Sequence, residues 1–134
     1  MEGIYKSDFA EIFFERSKRQ IYFVWSSKNL SNEFFKKHIV ILCEKVVQLA
    51  PKSIFVDARE HKYTVPTDVQ KWHDEEIVPI YIKAGIKKIA FLTPEAIFSD
   101  ITTKKIFSQN QAKALLQTAF FKSEKEAEQW LALD

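Results

Sequence analysis

The chain has 134 residues, 46% of them hydrophobic and 12 of them phenylalanine, which excludes intrinsic disorder and suits one domain spanning residues 1–134. Its net charge of +2 is too small to mark a nucleic-acid or anionic-lipid partner, and no apolar run reaches the roughly 20 residues that cross a bilayer. The acidic start Met1-Glu2-Gly3 is unlike a secretory leader and the single Cys43 has no internal disulfide partner, so a cytoplasmic location is expected.

Asp8 to Arg16 carries Phe9, Ile12, Phe13 and Phe14. Beyond a Ser17-Lys18-Arg19 turn, Gln20 to Ser26 carries Ile21, Tyr22, Phe23, Val24 and Trp25. Two aromatic and β-branched runs separated this way predict a hairpin. The second run is apolar without a break, as an interior strand covered on both faces should be. From Ser31 the period changes. Phe35, Ile39, Leu42, Val46 and Leu49 recur at steps of four and three, the seam of an amphipathic helix with Ser31 as N-cap and Pro51 as stop. Ser53-Ile54-Phe55-Val56-Asp57 reads as a short buried strand ending in an acid.

The polar loop Ala58 to Val65 leads to a second helix opened by Pro66-Thr67, where Thr67 and Gln70 have capping-box spacing, and closed at Ala84-Gly85. Ile86 to Leu92 is a third buried strand. Thr93-Pro94-Glu95 starts a helix that runs to about Gln109, and Leu115 to Phe121 is a last strand, although Ala112 to Leu116 could equally extend the helix. Ser123 and Glu126 form another capping box, and the closing helix is expected to dock by Trp130 and Leu131 beside Phe121. The predicted fold is α/β: a mixed five-stranded sheet with four helices, a hairpin continued by right-handed βαβ crossovers.

That order of elements, with particular residues at particular places, resembles the SpoIIAA-like family of the STAS and SEC14-like group. The residues carrying the resemblance are Phe55-Val56-Asp57, then Gln70 and Trp72 early in the next helix and Pro79 within it. Ala84-Gly85-Ile86-Lys87-Lys88-Ile89-Ala90-Phe91 follows, and the match ends with Phe121, Ser123, Glu126, Ala127, Trp130 and Leu131. The resemblance implies an α/β sheet packed against helices, no catalytic centre, and members that bind proteins or lipids. Anti-sigma antagonists of this group carry a phosphorylated serine in an Asp-Ser-small pattern at the start of the helix after the central strand. Here the segment reads Tyr63-Thr64-Val65-Pro66-Thr67-Asp68; Thr64 and Thr67 offer hydroxyls, but the pattern is absent and the phosphoswitch is not carried over.

Candidate site residues cluster around the second helix. His73 and Glu76 stand at i, i+3, and His61 or Asp57 could complete a metal site, but no paired-ligand motif such as CxxC or HxxxH appears, so neither metal nor cofactor is expected. At a constant 100° per residue from Val69, His73 falls mid-stripe on the inward face with Ile77, Ile80 and Ala84. It is then either a core histidine bonded to backbone or to Glu76, or the polar floor of a small pocket. Pro79 removes the bond to the Glu75 carbonyl and kinks the helix. Trp72 is half exposed by the same count, and Arg59 is a planar bidentate donor in the longest polar connection.

Three function classes fit these residues. A regulatory domain that binds a protein partner or a second copy predicts an exposed apolar patch of several hundred Å². A carrier or sensor of a small apolar ligand or lipid predicts a cavity of at least roughly 300 Å³. An enzyme needs convergent titratable groups, for which only Asp57, His61, His73 and Glu76 are available. The first class accounts best for one domain without a catalytic motif, and its working surface is expected at the loop Ala58 to Val65 with Trp72 and Arg59, beyond the carboxyl end of a central strand.

Overall fold

The computed structural model describes residues 1–61, 63–93 and 116–133. Six strands form one mixed sheet in sequence order: β1 (Glu2–Lys6), β2 (Ala10–Glu15), β3 (Gln20–Trp25), β4 (Ser53–Asp57), β5 (Lys88–Leu92) and β6 (Gln117–Phe121). β2 runs antiparallel to both of its neighbours, β1 and β3; β3 to β6 run parallel. The expected five-stranded sheet is therefore corrected to six. The added strand, β1, has only Ile4 and Tyr5 as apolar residues, and it lies at an edge where alternating burial is not demanded.

The three runs expected in the interior of the sheet are interior. Alternate residues of each feed two separate cores, which is why their sequences are apolar throughout. Ile21, Phe23, Trp25, Ile54, Val56 and Ile89 face one core, while Tyr22, Phe55, Ala90 and Leu92 face the other.

The first core is roofed by α1 (Asn32–Leu49) and by a composite second helix. Ser31 caps α1 as expected, its hydroxyl accepting the Phe34 N–H at 3.1 Å, and Ala50 ends it in the left-handed region before Pro51. The composite helix consists of α2 (Thr67–Trp72), a π-helical turn (His73–Ile77) and α3 (Val78–Ala84), ended by Gly85 at φ 98. In the π turn the Val78 N–H donates to the His73 carbonyl, five residues back. The proline thus sits just beyond a widened turn. Inserting a residue in this way advances the buried stripe by one position. Val78 and Tyr81 are buried, and Ile80, placed inward by the constant-step projection, is 36% exposed.

The expected capping box at Thr67 does not form. Pro66 is the N-cap and makes no side-chain bond, and the Gln70 amide donates instead to Asp74 Oδ1 at 3.0 Å. A proline in extended geometry at the cap displaces Thr67 one position into the helix, where its hydroxyl no longer reaches the free N–H groups.

On the other face, α4 (Glu124–Ala132) packs Ala127 and Leu131 against Tyr22, Phe55, Ala90 and Leu92. Ser123 caps it, accepting from the Glu126 N–H at 3.4 Å. Glu128 ties α4 to β3 by accepting from Gln20 Nε2 at 2.8 Å, Tyr22 Oη at 2.7 Å and Lys18 Nζ at 3.1 Å. Of the four expected helices, three are described as α1, the composite helix and α4, a 3-10 turn (Arg16–Lys18) joins β2 to β3, and the helix expected over 94–109 lies outside the described residues. No helix among the described residues is long and apolar enough to cross a membrane.

Candidate functional site

The loop that follows β4 is built inward rather than left free. Asp57, at the carboxyl end of β4, accepts the Arg59 backbone N–H at 3.1 Å, Arg59 Nε at 3.1 Å and Arg59 Nη2 at 2.8 Å. One aspartate therefore closes the turn and holds the guanidinium as a fork, and Arg59 keeps about half of its side chain in solvent. The Ala58 N–H continues the ladder to the Leu92 carbonyl at 2.8 Å.

Two residues further, His61 turns back over the end of the sheet. Its ring stacks on Trp25 at 4.7 Å and 14°, Trp25 stacks on Phe35 at 5.5 Å and 11°, and Phe35 stacks on Tyr63 at 4.8 Å. The Tyr63 hydroxyl donates to Asn32 Oδ1 at the start of α1. Register explains the convergence: Val24 pairs with Asp57, so Trp25 emerges beside the loop's first residue. Burial among rings drives the His61 pKa down to about 4, and its Nε2 is enclosed without a hydrogen-bond partner. His61 is neutral at pH 7.

The same rings, Trp25 and Phe35, line a cavity of about 70 Å³ between the sheet and the helical roof, closed by Phe23, Tyr81, Gln70 and His73. His73 is thus placed inward as the spacing predicts, with 16% of its side chain exposed. Its Nδ1 is enclosed without a hydrogen-bond partner and lies 3.8 Å from Asp74 Oδ1, too far for a bond. Glu76 is exposed and does not bond that nitrogen. Trp72 is half-buried, with the Lys36 ammonium 5.2 Å above its ring. Thr64 and Thr67 are exposed.

The sequence-predicted residues therefore divide. Asp57 and Arg59 come together as a pair, His61 joins an aromatic stack, His73 faces the cavity with Gln70, and Glu76 stands apart. Missed at the sequence level were Trp25, Phe35, Tyr63 and Asn32, which build the wall between loop and cavity; only the strand register could have revealed them. His38, buried under the start of β2, is held by structural bonds. Its Nδ1–H donates to the Phe34 carbonyl at 2.8 Å, so its Nε2 accepts the Ser7 hydroxyl at 2.8 Å, and Ser7 Oγ in turn accepts the Phe9 and Ala10 N–H groups.

Chemically, this end of the sheet offers a cation held on a fork, a half-exposed indole and rigid rings. Among the described residues no three His, Cys, Asp or Glu side chains are grouped to hold a metal ion. Burial pushes the Cys43 thiol up to about 11, leaving it protonated and a poor nucleophile at neutral pH. The cavity is well below the roughly 300 Å³ of a drug-sized ligand site.

Comparison with protein-family models, with curated proteins and with solved structures finds no match to this chain.

Proposed function

We propose that the chain is a non-catalytic binding and regulatory domain of the SpoIIAA-like type that acts through protein–protein contacts at the carboxyl end of β4. The observation that carries this reading is the Asp57–Arg59 fork, which holds a half-exposed guanidinium in a fixed orientation in the loop that leads to α2 and its Trp72. Arg and Trp are the residue types that most often anchor interfaces, and a side chain already locked in place loses little entropy when a partner closes over it. The aromatic stack beneath supports the same reading, since it fixes the loop backbone to α1 and β3. A carrier of a small apolar ligand or lipid would need the 70 Å³ cavity to expand severalfold, and an enzyme would need convergent titratable groups, whereas Asp57 is bonded to Arg59, His61 is enclosed in the aromatic stack and Glu76 stands apart from His73.

The test is quantitative affinity capture from the native lysate with wild-type protein and with an Arg59→Ala, Trp72→Ala double variant whose fold is confirmed by circular dichroism. A partner recovered by the wild type and lost with the double variant is expected. Equal recovery by both proteins would remove this surface from consideration.

A further inference from the structure

On the opposite side of α1 from its buried seam, a second seam faces solvent. Glu33, Lys37, Val40, Glu44 and Val47 recur at steps of four, three, four and three, all are exposed, and at 100° per residue they fall within an arc of about 80°. Val47 is 63% exposed and Val40 43%, and Ile80 of α3 stands next to them at 36%. Val40, Cys43, Glu44, Val47 and Ile80 line an open groove of about 630 Å³ between α1 and α3. Valine is a poor choice for a solvated helix face, because its β-branching lowers helix propensity without any compensating burial.

Beyond the loop surface, and independently of it, we infer that the outer seam of α1 docks a second copy of this chain, with the two α1 helices antiparallel about a two-fold axis at Val40. The charges select both the partner and the direction. Lys37 lies three residues before Val40 and Glu44 four after it, and neither has an ion-pair partner among the described residues. Antiparallel pairing about Val40 brings Lys37 of each copy to Glu44 of the other, twice by symmetry, and sets valine on valine at the centre. Parallel pairing would set lysine against lysine and glutamate against glutamate. The groove beside Ile80 then receives side chains from the second copy.

Sedimentation equilibrium over about 1 to 100 μM protein at low salt tests this with two charge-reversal variants, Lys37→Glu and Glu44→Lys, both at exposed positions and checked for folding by circular dichroism. Wild type should be a reversible dimer. Each variant alone should bind itself at least about tenfold more weakly, because both of its cross-pairs become like-charged. An equal mixture should recover the affinity as a 1:1 heterodimer, since both cross-pairs are then opposite in sign. A monomeric wild type, a variant that dimerises as tightly as wild type, or a mixture that fails to form the heterodimer would each overturn the proposal.

Discussion

The imidazole of His61 lies 4.7 Å from the indole of Trp25, their planes 14° apart, so a titratable ring has been used as an aromatic stone in the wall between loop and cavity. That use has a pH consequence. Burial lowers the folded-state pKa to about 4, below the ordinary histidine value, so the unfolded chain takes up a proton that the folded one refuses. Stability is fully present above about pH 6.5 and is lost as pH falls towards 4, by about 3 kcal/mol over the whole interval. Urea midpoints measured across that interval for wild type and His61→Phe check this: the wild-type curve should fall more steeply. Parallel curves would mean that His61 is solvated and the stack open.

Glu128 holds α4 to β3 through three donors, and Gln20 and Tyr22 among them are buried. Burial alone would raise its pKa, but the bonds from Gln20, Tyr22 and Lys18 outweigh it and hold the carboxyl below its usual range. Its contribution is therefore present above the unfolded carboxylate pKa and lost as pH falls through the lowered folded value. Glu128→Ala leaves the Gln20 amide and the Tyr22 hydroxyl without their acceptor and should cost about 1 to 3 kcal/mol in chemical denaturation. A cost under about 0.5 kcal/mol would show that solvent replaces the carboxylate, as at an exposed ion pair.

How much of this was legible in the sequence follows from which patterns have a fixed period. The interior strands β3, β4 and β5 and the seam of α1 were legible because two-sided burial and a 3.6-residue period leave unambiguous marks in Ile21 to Trp25 or Phe35 to Leu49. Strand β1 was not, since an edge strand needs backbone pairing more than side-chain burial. The inward face of His73 was legible because it precedes or opens the π turn, whereas Ile80 and Tyr81 were exchanged because the projection assumed a constant step across it. Asp57 and Arg59 were legible as candidates, but their mutual pairing was not: two residues apart, they could equally have faced outward separately. The stack of His61 on Trp25 depends on the β3–β4 register, a long-range fact that no local pattern encodes.

The π turn itself makes a prediction. Deleting Glu75, an exposed residue within it, should turn the composite helix into a continuous α-helix that still presents Val69, His73 and Tyr81 to the sheet. It would also place Pro79 in an uninterrupted helix interior, at a cost of about 3 kcal/mol. The deletion should therefore be markedly destabilised alone and recover most of that loss when combined with Pro79→Ala. Thermal melts of wild type, the deletion and the combined variant check it. If Pro79→Ala brings no recovery, the extra residue serves packing rather than accommodating the proline.

The terminal helix allows the expected docking by Trp130 and Leu131 to be divided between the two. Leu131 is 4% exposed and packed in the second core, whereas Trp130 is only partly buried, its ring 5.6 Å from Phe121 and 5.0 Å from the Lys88 ammonium. The lysine also donates to the Trp130 carbonyl at 2.9 Å, a bond that side-chain truncation leaves in place. Leu131→Ala empties a closed site and should cost about 2 to 5 kcal/mol, the range for buried leucines. Trp130→Ala opens onto solvent, which can fill the space, so its cost should fall to about 1 to 2 kcal/mol, below the range for fully buried aromatics. Urea midpoints of the two variants decide the order, and a larger loss at Trp130 would mean that the indole, not the leucine, is what seats α4 on the sheet.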